Sequence, residues 1–178
     1  MLKKILIALA AIVLVFLVVV AMQPSDFRVE RTATIAAPPA DVFAEVNDFH
    51  KWEAWSPWAK LDPAAKVAFE GPEAGQDAVM NWAGNDEVGE GKMKLTESRP
   101  SDLVKINVDF VKPFEGSIIS EFTFKPEGDR TAVIWAMAGH HNFFEKALCL
   151  VMNGTKMIGD DMEKGLAQLK SVESARKG

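Results

Sequence analysis

Eighteen consecutive residues without a charge or a strongly polar side chain, Ile5 to Met22 (ILIALAAIVLVFLVVVAM), leave the start of this chain few options. As a helix the run would extend ~27 Å, close to the hydrocarbon thickness of a bilayer. Lys3 and Lys4 precede it. Positive charge ahead of a span predicts a cytoplasmic N-terminus, with the rest of the chain across the inner membrane, on the periplasmic side. A cleaved leader is the competing reading, because Val19 and Ala21 form a small-residue cleavage pattern, and it would release the domain as a secreted or periplasmic protein. The run is longer than the ~7–15 residues of a usual signal core, which favours a retained single-pass anchor. No cysteine directly follows it, which excludes a lipoprotein anchor.

The chain therefore divides into an anchor, residues 1–23, and one domain, residues 24–178. That domain is long enough to bury a sizeable core. The formal charge is −5, with acids scattered among lysines, and no basic stripe exists that would bind nucleic acid. The single cysteine, Cys149, lies in the apolar stretch ALCLVM and reads as a small hydrophobe. With no internal disulfide available, the domain must be held by its core alone.

From Phe27 the pattern has period two. Phe27, Val29, Ala33 and Ile35 share one face with the lone charge Arg31, against Arg28, Glu30, Thr32 and Thr34 on the other. Pro38-Pro39 ends this strand and opens a short helix with Val42, Phe43 and Val46 on its apolar side. Pro57 and Pro63 bar a long helix through the aromatic stretch FHKWEAWSPW. Six strand-like segments follow between turn residues: 66–70, 78–82, 89–97, 103–111, 116–124 and 131–138. Their spacing predicts an antiparallel meander with one covered face. The clearest alternation sets Val104, Ile106, Val108 and Phe110 against Lys105, Asn107 and Asp109. Beyond His140-His141 the period turns helical, with a short helix over 142–148 and a longer one from about Thr155 to Ala175. The stripe Ile158, Met162, Leu166, Leu169 and Val172 gives the longer helix one apolar face. Gly154, Gly159 and Gly165 each cost a helix ~1 kcal/mol relative to alanine, so they mark a frayed start or places where something packs against the backbone.

Four stretches in this order, RTATIAAPPADVFAEVNDF, WEAWSPW followed by LDP, TAVIWAMAG and GDDMEKGLAQLKSVE, resemble the START-like or SRPBCC superfamily, and within it the polyketide cyclase/dehydrase-type proteins. The resemblance implies an α+β helix-grip fold: an antiparallel sheet of about seven strands wrapped around a long C-terminal helix, here preceded by a transmembrane helix. It also implies a deep, mostly apolar cavity between sheet and helix for a lipid, isoprenoid or polyketide-like molecule. The anchor departs from the small soluble members.

Candidate cavity residues come from strand parity, the helix stripe and the aromatic stretch. They are Arg31, Trp52, Trp55, Trp58, Trp82, Met93, Phe110, Trp135, Met137, Met162 and Leu166. Tryptophan suits either a core or a pocket rim, since its ring is apolar and its N–H needs a partner. Parity leaves open whether Met80 with Trp82, or Val79 with Asn81, points inward. Arg31 on a covered face needs an acid, such as Glu121 on another strand, or an anionic head group. His140 and His141 are adjacent, so on a strand they point to opposite faces, and no HxxxH or CxxC spacing exists. Neither a metal nor another cofactor is expected, and no GxSxG elbow supplies a nucleophile. Three readings follow: a membrane-anchored binder of a hydrophobic small molecule, a cyclase/dehydrase-like enzyme using a pocket acid or base such as Asp109, Glu115 or Glu121, and an interaction module whose cavity is filled.

Overall fold

The period-two segments pair into one antiparallel sheet in the order β1-β7-β6-β5-β4-β3-β2, seen here in a computed structural model that describes residues 1–176. The strands are β1 (Asp26–Ile35), β2 (Lys66–Glu70), β3 (Val79–Ala83), β4 (Glu90–Arg99), β5 (Leu103–Lys112), β6 (Gly116–Glu127) and β7 (Arg130–His140). β2 to β7 form a continuous meander, and β1 joins it by pairing with the last strand. The helices are α1 (Leu2–Met22), α2 (Pro39–Val46), α3 (Trp52–Trp55), α4 (Phe143–Met152) and α5 (Gly154–Ala175). This is the expected helix grip. Pro126, which the sequence places in a turn, instead lies inside β6 opposite Thr131. Past Thr123 β6 has only β7 beside it, so a residue without an N–H is tolerated there.

Local chemistry sets the helix ends. Pro38 and Pro39 open α2, and Asp48 caps the 3₁₀ turn that follows it by accepting from the His50 N–H at 2.9 Å. Asn142 and Glu145 form a reciprocal capping box at the start of α4. Asn153, in the left-handed conformation, breaks the chain between α4 and α5.

Residues directly opposite on neighbouring strands point to the same face, so the register defines layers across the concave side of the sheet. One layer holds Val104, Phe122, Trp135 and Arg31; another holds Leu95, Ile106, Ser120, Met137 and Val29. The centre of the core is aromatic. Trp135 stacks on Phe122 at 4.7 Å, and Trp55 meets both edge-on at 6.0 Å. The Trp135 indole N–H donates to Ser120 Oγ at 2.9 Å, those of Trp52 and Trp55 to the carbonyls of Val46 and Glu45. Each buried indole thus keeps a partner.

Helix α5 lies on this cluster with Met162, Leu166 and Leu169 buried. It can approach because Gly165 has no side chain: a Cβ there would stand 2.8 Å from the Trp135 ring and 3.0 Å from Pro57 Cδ. Buried Glu45 of α2 ties down the other end of α5, facing Lys51 at 3.1 Å and Arg176 at 2.7 Å. At an unobstructed helical site Gly→Ala stabilises by ~1 kcal/mol. Here both obstacles are rigid rings, so Gly165→Ala is expected to destabilise by about 1–3 kcal/mol in urea unfolding. A raised melting temperature would show that α5 does not sit this close to the sheet.

Candidate ligand groove

The two ends of the grip differ. At the end where β1 finishes and β7 begins, Ile35, Val133, Phe122, Phe124, Val104, Leu95 and Ala78 are buried. α2 and α3 cover them, with Phe43 edge-on to Phe124 at 5.7 Å and Trp52 edge-on to Phe122 at 6.1 Å. At the opposite end β1 starts directly after α1, and β7 runs out just before α4. There the concave layers are Val67, Trp82, Gly91 and Phe110, then Phe69, Met80, Met93, Val108 and Ile118. Val67 and Phe69 are exposed, and Met80, Trp82, Phe110 and Ile118 are half-buried against the core. α5 packs along β1 and α2 over β5 to β7; toward β2 and β3 the cover thins to the ring of His50, from the 3₁₀ turn, stacked on Phe69 at 3.9 Å. The apolar side of the sheet is only partly covered there, along a strip of aromatic and methionine side chains that makes the candidate groove.

The floor is built around a glycine. Gly91 lies between Trp82 and Phe110 in register, and the Trp82 indole occupies the space a side chain would take, 2.4 Å from where a Cβ would stand. The ring meets Phe110 edge-on at 5.8 Å, and its N–H donates to the Val88 carbonyl at 3.0 Å. Trp82 is therefore held over Gly91 and is only half-buried.

The sequence-derived candidates divide between two environments. Trp52, Trp55, Met93, Trp135, Met137, Met162 and Leu166 are buried in the packed core. The space between the sheet and α5 around Trp135 is thus filled by the protein's own side chains, where the resemblance implies a deep cavity. Trp58, Trp82 and Phe110 remain half-buried at the core's margin, with Trp58 edge-on to Trp135 at 5.9 Å. The register resolves the parity of β3: Met80 and Trp82 face inward, Val79 and Asn81 outward. Sequence reasoning did not single out Val67, Phe69 or Ile118, whose strands are short or weakly alternating; pairing with Trp82, Met80 and Val108 assigns their face.

Arg31 faces inward beside Trp135 on the edge strand β1. Its Nε donates to Glu163 Oε1 of α5 at 2.6 Å and its Nη1 to the Glu30 carbonyl at 2.9 Å. Glu163, not Glu121, is the partner; Glu121 lies on the outer face with Lys105 at 3.2 Å and Arg28 at 3.9 Å. The guanidinium rests against α5 where Gly159 leaves room, its Nη2 2.1 Å from a hypothetical Cβ. Nearby on α5 a hydrogen bond from Lys156 holds the Asp160 carboxylate below its ordinary range, and Asp161 pushes Lys164 up. Asp109 also points outward, accepting from the Asn107 amide at 2.9 Å. No cluster of His, Cys, Asp or Glu able to hold a metal occurs among the described residues. Two shallow depressions lie outside the grip, one on the convex face between Asn107 and His140, the other between Glu45, Lys51 and Arg176.

A family model described as polyketide cyclase/dehydrase and lipid transport matches residues 26–172. The chain belongs to that family. Solved structures agree on the fold. A protein from Mesorhizobium loti, MLL2253, superposes with a TM-score of 0.63 at 14% identity, over 85% of this chain and 99% of that one. The Aha1 dimer from Colwellia psychrerythraea gives 0.62 at 14% identity, over 85% and 99%. TTHA0849 from Thermus thermophilus gives 0.60 at 16% identity, over 85% and 100%. No curated protein sequence matches the chain. At such identities the family's common ground is the architecture, and the groove must be judged on its own residues.

The two glycines make different predictions. Gly91→Ala sets a Cβ against the Trp82 ring and 2.5 Å from the Asp109 carbonyl oxygen, and that backbone atom cannot step aside. It is expected to cost about 1–3 kcal/mol and to shift the tryptophan emission. Gly159→Ala meets only the end of a flexible arginine, so its effect is expected within ~1 kcal/mol, Arg31 moving into water. Equal losses from both, measured by urea unfolding, would contradict this description of the groove floor.

Proposed function

We propose that this protein holds an apolar small molecule, a lipid, isoprenoid or polyketide-like compound, in the groove over Trp82 and Phe110, and does so as a membrane-anchored domain. The observation that carries the reading is the uncovered apolar floor itself. Met80, Trp82, Phe110 and Ile118 are packed from below yet half open above, on the side of the sheet that normally forms the core. Family membership supports the same reading, because its description includes lipid transport. The filled centre makes the groove an open trough rather than a deep sac, suited to one chain or ring laid against the sheet. Affinity would come from apolar burial at ~25 cal/mol per Å².

Anchoring rests on α1, which is long and apolar enough to cross a bilayer. Its last turn is also part of the domain's packing. Val20 is fully buried, and Lys146 Nζ of α4 donates to the Gln23 carbonyl at 3.2 Å. A leader destined for removal has no need of such contacts. The open end of the groove is the end joined to α1, which would set its mouth toward the bilayer.

Two measurements test this. Native mass spectrometry of the full-length protein from mild detergent is expected to show apolar adducts. Trp82→Ala with Phe110→Ala, removing roughly 100 Å² of contact, is expected to weaken uptake of a fluorescent fatty acid on the order of 50-fold. Absence of both adduct and uptake would refute the binding reading. The membrane fraction should retain the protein through carbonate extraction with Met1 still present in its intact mass. A mature chain starting at Met22 would refute the anchor.

A further inference from the structure

Helix α4 is amphipathic in the wrong sense for a protein surrounded only by water. Phe143, Phe144, Leu150 and Val151 are exposed, and with Ala147 they fall on one helical face by 3–4 residue spacing. Glu145, Lys146 and Cys149 occupy the other side and are partly buried toward the domain. No residue of α4 is buried. The apolar face continues onto the β5–β6 connection, where exposed Phe114 meets Phe144 edge-on at 5.6 Å; Val111, near the end of β5, is also exposed. Contiguous exposed patches of this kind mark a partner surface.

The position of α4 identifies the partner. Lys146 reaches back to the carbonyl of Gln23, the residue that caps α1. If α1 crosses the bilayer, Gln23 leaves the hydrocarbon at headgroup depth, and α4 is tied to that depth. We propose that α4 and the Val111–Phe114 segment lie in the lipid headgroup region, with Phe143, Phe144, Leu150 and Val151 immersed at the acyl boundary. The occupant of this face is the bilayer. The inference rests on the anchor reading and adds a second membrane contact, one that fixes the tilt of the domain. Phe110 and Ile118 flank the same β5–β6 connection, so an immersed α4 holds the groove's open end against the membrane surface.

Full-length protein in phosphatidylcholine–phosphatidylglycerol vesicles tests this by depth-dependent quenching. In a Cys149→Ser background, an environment-sensitive fluorophore is placed singly through Leu150→Cys, Val151→Cys, Val13→Cys in α1 and Asp129→Cys in the distant β6–β7 turn. All four positions are exposed, and circular dichroism checks the fold. Lipids carrying a nitroxide at shallow acyl depth are expected to remove most of the emission at Leu150 and Val151 and none at Asp129. Val13 is expected to be quenched best by a deep nitroxide. Quenching at Val13 with Leu150 and Val151 left in water would overturn the α4 proposal while keeping the anchor. An unquenched Val13 would overturn both. Emission at Val151 that is shielded yet unquenched by lipid, with cross-linking between copies, would assign the face to a second chain and also overturn the proposal.

Discussion

Everything in this fold depends on how closely α5 can approach the sheet over Trp135. The ring lies flat on Phe122, receives Trp55 and Trp58 edge-on, and keeps its N–H on Ser120. It also fits beneath Gly165, where even a methyl group would collide. Three separate parts of the chain, the α3 turn, two central strands and the last helix, converge on this one indole. A large buried aromatic surface is a strong source of cohesion, and a domain without a disulfide draws on it fully.

That convergence fills one half of the grip and leaves the other open. Where tryptophans from the helical excursion reach the sheet, no space remains for a guest. Where the sheet extends past them, at Val67, Met80, Trp82 and Phe110, the apolar side is half uncovered. Gly91 and Trp82 reproduce on a strand the device of Gly165 and Trp135 on the helix: a missing side chain beneath an indole. In one place the device brings two layers together, and in the other it flattens a floor. The open half is continuous with the end of the domain that carries α1 and α4, so under the proposed function binding and membrane attachment would share one pole of the molecule.

Much of this was legible in the sequence. Clean alternation on β1 and β5 and the apolar stripe of α5 assigned their faces directly, because a half-buried element must segregate its side chains. The glycines of α5 left a frayed start and a close approach both open, and Arg31 against Gly159 and Trp135 against Gly165 decide for approach. Arg31, which the structure leaves only half-buried, was legible as a charge on the covered side in need of an acid. Its partner was not, since Glu163 lies 132 residues away on a helix whose rotation over the sheet no local pattern records. The tryptophans of WEAWSPW presented the same limit. Their spacing is equally compatible with a core and with a cavity wall, and only the positions of Phe122 and Trp135 decide between them.

The amino-acid order by itself determined the apolar span, the meander, the closing helix and hence the family architecture, because each follows from periodicity and from residues that break it. Tertiary structure alone decided which half of the concave face is filled, which acid meets Arg31, and that α4 turns its apolar side outward. Those outcomes depend on distances between elements remote in sequence. Close packing makes such distances sensitive to a single methylene, and no local pattern carries that information.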